Sequence, residues 1–155
     1  MLIRAEHSII IRQTVAEVFA SISDPTKERQ WNPDVIKTER ISEQSGGIGT
    51  AYRETHHVIF RQNNMTFEVM SYEPDHQFGT RSTSGGPEQT RLYILEEHPE
   101  GTQLTLKAAV QISALFSILA PLLRRFGHDE VVKSLAQLKQ FLENQSANYL
   151  FPTSS

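Results

Sequence analysis

The chain has no cysteine among its 155 residues. That absence removes disulfides, thiolate zinc sites, iron–sulfur clusters and thiol nucleophiles together. It also lacks a basic excess: 15 Lys and Arg against 18 Asp and Glu give a formal charge of -3. Nucleic acid is therefore not expected as a partner, because phosphate binding calls for a basic face. No apolar run is long enough to span a bilayer. The longest, Ile112 to Leu123, contains Ser113, Ser117 and Pro121 and stops at Arg124-Arg125, short of the ~20 residues a spanning helix needs. Stable membrane insertion is not expected, and contact with a membrane surface is the lesser reading of this run. Residues Met1 to His7 show no long apolar core followed by a small-residue cleavage site, so a cytoplasmic location is the expectation.

Further absences narrow the chemistry. There is no Gly-x-Ser-x-Gly elbow for a serine hydrolase. The run Ser45-Gly46-Gly47-Ile48-Gly49-Thr50 has no lysine after its last glycine and no helix to follow, so it reads as a hairpin turn rather than a phosphate loop. The six histidines, His7, His56, His57, His76, His98 and His128, never recur at the four-residue spacing that puts two ligands on one helix face. No metal site and no cofactor are expected.

What is present is an ordinary balance of 38% hydrophobic and 21% charged residues, fitting one globular domain over residues 1–145 with a flexible tail at 146–155. Ser8 to Gln13 is rich in β-branched isoleucine and reads as a strand. Thr14 and Glu17 form a capping-box pattern, and Val15, Val18, Phe19 and Ile22 recur at helical spacing behind it. Asp24-Pro25 closes that helix and opens a second short one that ends near Trp31-Asn32-Pro33. From Val35 to Ile112 the period changes to two. Candidate strands are 35–43, 50–61, 65–73, 77–84, 89–97 and 102–112, separated by turn clusters that include Gln62-Asn63-Asn64. Connections this short favour antiparallel neighbours.

Helical period then returns. Leu115, Ile118, Leu119, Leu122, Leu123 and Phe126, continued by Val131, Leu135, Leu138, Phe141 and Leu142, read as one stripe that should cover the sheet. Two short helices, about seven strands in a bent antiparallel sheet and a long C-terminal helix make an α+β arrangement. A helix laid across the concave side of a curled sheet closes a cavity.

The order of these signals is similar to a known family. A strand, Thr14-Val15-Ala16-Glu17-Val18-Phe19, Asp24-Pro25, Trp31-Asn32-Pro33, Gly49-Thr50, Pro74, Gly101-Thr102 and Leu138 to Glu143 together resemble the START-like (SRPBCC) superfamily over about residues 3 to 143. Within it they look most like the bacterial polyketide cyclase/dehydrase group, which also resembles birch-pollen allergen domains and coenzyme Q-binding proteins. The resemblance implies a helix-grip fold with an apolar cavity under the long helix. Its members include lipid carriers, hormone receptors and aromatic cyclases, so it implies no single activity.

Two functions stay open. In the first, the domain binds a small hydrophobic or aromatic molecule, walled by Trp31, Tyr52, Phe67, Val69, Phe78, Tyr93, Leu106, Val110, Leu119 and Leu123. In the second, it is a cyclase or dehydratase in which polar groups of the same cavity move protons. Alternation puts Tyr52, Glu54, His56, Val58 and Phe60 on one strand face, and that face is expected to point inward. Glu54 and His56 are accordingly the candidate acid–base pair, near neutrality for the histidine. Arg81, Arg91 and Tyr93 can orient a ligand, but a one-residue change in the loop after 97 decides whether Tyr93 or Ile94 faces in. The protein is expected to be a monomer or a homodimer that buries Tyr149-Leu150-Phe151 or the Ile112–Leu119 segment.

Overall fold

The computed structural model describes residues 1–58 and 60–150, the side chains of Val58 and of residues 146–150 excepted. Seven strands form one antiparallel sheet: β1 (Leu2–Ile11), β2 (Val35–Arg40), β3 (Ala51–Val58), β4 (Arg61–Glu73), β5 (Gln77–Ser84), β6 (Gln89–His98) and β7 (Gly101–Gln111). Their spatial order is β1-β7-β6-β5-β4-β3-β2, so β1 and β2 are the two edges. The chain crosses from one edge to the other through α1 (Val15–Ile22) and a 3-10 turn at Pro25–Gln30. Thr14 caps α1 by accepting the Glu17 N–H, and Asp24 accepts from Thr26 N–H with Pro25 behind it, as the sequence signals require.

The sheet grips α2 (Ala120–Leu150), which is preceded by a 3-10 segment at Ala114–Leu119. Val131, Leu135, Leu138 and Leu142 of α2 are buried against Ile11, Leu104 and Leu106 of the sheet and Val18, Phe19 and Ile22 of α1. Gln13 Nε2 donates to the Leu142 carbonyl at 2.8 Å, and Thr102 Oγ1 donates to the Gln13 carbonyl at 2.8 Å. These bonds fasten the C-terminal half of the helix to the end of β1. Gly101 makes the neighbouring hairpin possible: its φ is +141°, and a Cβ there would collide with the Ile11 carbonyl oxygen.

Two expectations are corrected. The β3–β4 ladder runs as far as the Val58–Arg61 pair, and Gln62, Asn63 and Asn64 pair with His57, His56 and Thr55. The polar run Gln62–Asn64, read from composition as a turn, is satisfied by the ladder and by a 2.8 Å bond from Thr55 Oγ1 to Asn64 Oδ1. Phe60 thus leaves the inward face for the hairpin tip, where it is 97% exposed.

The second correction concerns the helix. Leu115, Phe116, Ile118, Leu119, Leu122 and Phe126 do not cover the sheet and are 44% to 85% exposed. The inward line runs instead through Ala120, Leu123, Gly127 and Val131. The helix α2 is described as far as Leu150. Residues 151–155, and the Tyr149-Leu150-Phe151 side chains weighed as a dimer surface, lie outside the described residues.

Candidate functional site

Small residues let the start of α2 come close to β1. Gly127 faces Ala5, the distance from an added Cβ to the Ala5 Cβ being 3.9 Å, and Ala108 sits beside Ala5 on the paired strand. Around them opens a cleft of about 490 Å³, walled by Ile3, Ala108, Val110, Ile112, Leu123, Phe126 and Val131 and carrying His56, Gln89, Arg91, Glu130 and Ser134. Gln89 and Arg91 also border an inner recess of about 60 Å³, whose wall includes Ile22, Glu28, Trp31, Glu54, Phe67, Phe78 and Tyr93. An apolar entrance therefore leads to a polar end.

Alternation along β3 and β6 builds that end. Tyr52 and Glu54 are buried and His56 borders the cleft, while Arg53 and His57 are exposed on the opposite face. On β6 the inward set is Arg91, Tyr93 and Leu95. The hairpin from His98 to Gly101 fixes this choice, since it sets Tyr93 opposite Leu106 and Leu95 opposite Leu104.

The Arg91 guanidinium joins the elements: it donates to Tyr93 Oη at 3.2 Å and to Ser134 Oγ of α2 at 3.3 Å, and lies 3.9 Å from Glu28 Oε1. Tyr93 beside it pushes the guanidinium pKa up, and Glu28 and Glu54 add to that against the opposing effect of burial. Arg91 is a fixed cation. Burial also raises the Tyr93 phenol, which stays protonated.

Glu54 is the most perturbed group. Burial, then the Glu28 charge and a hydrogen bond with Glu28, push its carboxyl up to about 8, with Arg91 opposing. Two carboxyls at one site that cannot both ionise share a proton, and here Glu54 holds it at neutral pH. His56 Nδ1 lies 3.8 Å from Glu54 Oε1, beyond hydrogen-bond reach. That nitrogen and Trp31 Nε1 are buried with no hydrogen-bond partner among the described residues. Both are free to engage a guest molecule.

The structure distributes the sequence candidates over three environments. Trp31, Glu54, Phe67, Phe78 and Tyr93 line the recess, and His56, Val110 and Leu123 line the cleft. Tyr52, Val69 and Leu106 are packed in the core and reach neither space; Tyr52 stacks on Phe67 at 5.6 Å between centroids. Leu119 is corrected from cavity wall to surface, because the preceding 3-10 segment turns it outward. Sequence reasoning passed over Glu28, Gln89 and Ser134. Glu28 lies in a polar stretch, Lys27-Glu28-Arg29-Gln30, where nothing distinguishes it from a solvated charge.

A curved antiparallel sheet gripping a long helix, with an apolar cleft between them, defines the helix-grip fold of the START-like (SRPBCC) proteins. Residues 3–143 match the family described as polyketide cyclase / dehydrase and lipid transport, and the chain belongs to that family. Among solved structures, a START superfamily protein from Mycobacterium smegmatis is similar with a TM-score of 0.75 at 15% identity, over 92% of this chain and 98% of that one. A Streptomyces aromatase/cyclase, Zhui, gives a TM-score of 0.71 at 17% identity over 96% of each chain. The di-domain ARO/CYC StfQ of the steffimycin biosynthetic pathway gives 0.78 at 14% identity, over 95% of this chain and 52% of that one. Identities this low establish the shared fold alone. No curated protein matches the chain significantly. Among the described residues no helix is long and apolar enough to cross a membrane.

Proposed function

We propose that this protein holds a small hydrophobic or aromatic molecule, lipid-like or polyketide-like, in the cleft between α2 and the sheet, with a hydroxyl or ketone oxygen directed toward Arg91, Tyr93 and Glu54. One observation carries the reading: an apolar cleft of about 490 Å³ ends on a buried polar cluster that includes unpartnered donor or acceptor atoms. Apolar walls supply affinity at ~25 cal/mol per Å² buried, and a few polar groups fix orientation. Naphthol, a fluorescent aromatic with one hydroxyl, serves as the probe. Arg91→Gln and Tyr93→Phe are each expected to weaken its binding roughly tenfold, the worth of one hydrogen bond to a charged or buried group. Unchanged affinity in both variants would remove the polar cluster from the ligand's site.

The proton on Glu54 favours a second reading. A carboxyl that stays protonated up to about pH 8 inside a cavity can act as a general acid on a carbonyl or leaving hydroxyl. In a cyclase or dehydratase, Arg91 and Tyr93 would hold the oxygen on which charge develops. Glu54→Gln is then expected to abolish turnover of a poly-β-ketone substrate while naphthol affinity stays within about twofold of the parent. Equal turnover by parent and variant would leave Glu54 with no catalytic role.

A further inference from the structure

All seven strands reach the same end of the sheet at the start of β1, β2, β4 and β6 and the finish of β3, β5 and β7. This is the end where the cleft opens, between Ile3, Val110 and Ile112 of the strands and Leu123 and Phe126 of α2. Two apolar lips flank that opening. One is Phe60 at the β3–β4 hairpin tip. The other is the outward stripe of Leu115, Phe116, Ile118, Leu119, Leu122 and Phe126. A surface of this kind is large for a protein that meets only water.

Charge around the lips departs from that of the whole chain. The sequence carries -3 overall, yet from Gly101 to His128 it contains no Asp or Glu. Arg61 follows Phe60 directly, and Arg124 and Arg125 stand between Leu122 and Phe126. Among the described residues none of these three arginines has a carboxylate within salt-bridge distance. The carboxylates at this end are Asp34, just before β2 and 3.9 Å from Lys133 Nζ, Glu88, just before β6, and Asp129 and Glu130, which follow in α2; Asp34 and Glu130 belong to the cleft lining.

We infer that this rim docks on the surface of a bilayer that carries anionic lipid: Phe60 and the outward stripe enter the acyl boundary, while Arg61, Arg124 and Arg125 meet the phosphates. Aromatic and aliphatic side chains beside arginines are what interfacial binding uses, apolar burial and attraction to anionic headgroups acting together. A second copy of this chain fits the surface less well, because a two-fold interface sets a patch against itself and would bring the arginine pair toward its own equivalent. Phe126 belongs to both the rim and the cleft wall. Docking therefore turns the opening of the cleft toward the lipid, and an apolar molecule passes between bilayer and cleft without crossing water. This step rests on the cleft being a ligand site; docking itself does not.

Co-sedimentation of the full chain with phosphatidylcholine vesicles, with and without phosphatidylglycerol, tests the proposal. Binding is expected only with phosphatidylglycerol present and is expected to fall with salt. Ile118→Glu combined with Leu122→Glu should lower it about tenfold or more, and Arg124→Glu with Arg125→Glu should do the same. All four side chains are exposed, and an unchanged thermal transition confirms that the variants fold. Absence of binding to either vesicle overturns docking, as does binding that both variants retain. A dimer detected by light scattering and dissolved by the Ile118 and Leu122 changes overturns it too, by assigning the face to a second copy. Naphthol binding without vesicles is read in parallel: its loss in the parent protein sinks the cleft reading and leaves docking standing.

Discussion

Replacing Glu54 with glutamine is expected to flatten the dependence of stability on pH between 4.5 and about 8 and to make the variant the more stable protein at the upper end. The sign follows from linkage. In the unfolded chain this carboxyl ionises near 4.5, whereas in the fold it keeps its proton until about 8. Below the lower value both states are protonated and the group contributes nothing. Between the two values the native state binds more protons than the unfolded state, so stability falls as pH rises. Above about 8 the loss is complete and amounts to on the order of 5 kcal/mol. A glutamine amide can still donate to Glu28 but cannot ionise, so it escapes this penalty. Denaturant unfolding at several pH values across this window reads the effect. Parallel curves for parent and Glu54→Gln would show that the buried carboxyl is not protonated in the fold. Glu28→Gln provides a second reading: it removes the charge that ranks after burial among the causes of the shift, so the decline should end at a lower pH.

Much of the fold was legible because local signals and the global arrangement agree. Thr14 and Asp24 cap the elements their chemistry suits, and β3 buries Tyr52 and Glu54 on the face its alternation marks. The places that misled are those where one residue pattern fits two structures. Gln62-Asn63-Asn64 has turn composition, but tertiary pairing with β3 satisfies the same polar groups in a strand. The helical stripe contained a sign of its own break. From Phe126 to Val131 is a step of five residues, and at ~100° per residue a step of five cannot stay on one face. The buried series Leu142, Leu138, Leu135 and Val131, carried backwards, reaches Gly127, Leu123 and Ala120, two of them too small to attract notice in a search for apolar side chains. The site divides in the same way. Glu54 and His56 followed from strand period, and Arg91 and Tyr93 were visible but unoriented until the hairpin before Gly101 fixed the register. Glu28 depended on where a 3-10 turn sits in space, which its neighbours in sequence do not encode.

Those small residues also indicate how the cleft can be closed. Ala108 pairs with Ala5 on β1 and with Arg91 on β6 and lies on the cleft floor, between the apolar mouth and the polar end. In Ala108→Phe the ring would project from the sheet into space now bordered by Val110, Leu123 and Val131. It would occupy the position a guest's apolar body needs, and displacing about 100 Å² of contact removes ~2.5 kcal/mol of affinity. Naphthol binding is therefore expected to weaken roughly a hundredfold. Because the new ring fills a void and touches apolar walls, the protein should be no less stable than the parent, and this separates the variant from a damaged core. A variant that unfolds earlier and also loses binding would not qualify, so Ser134→Leu, which closes the cleft from the helix side, is measured with it. Affinity that survives both substitutions would mean that the molecule binds elsewhere, and the space under α2 would then be a packing consequence of Gly127, Ala5 and Ala108.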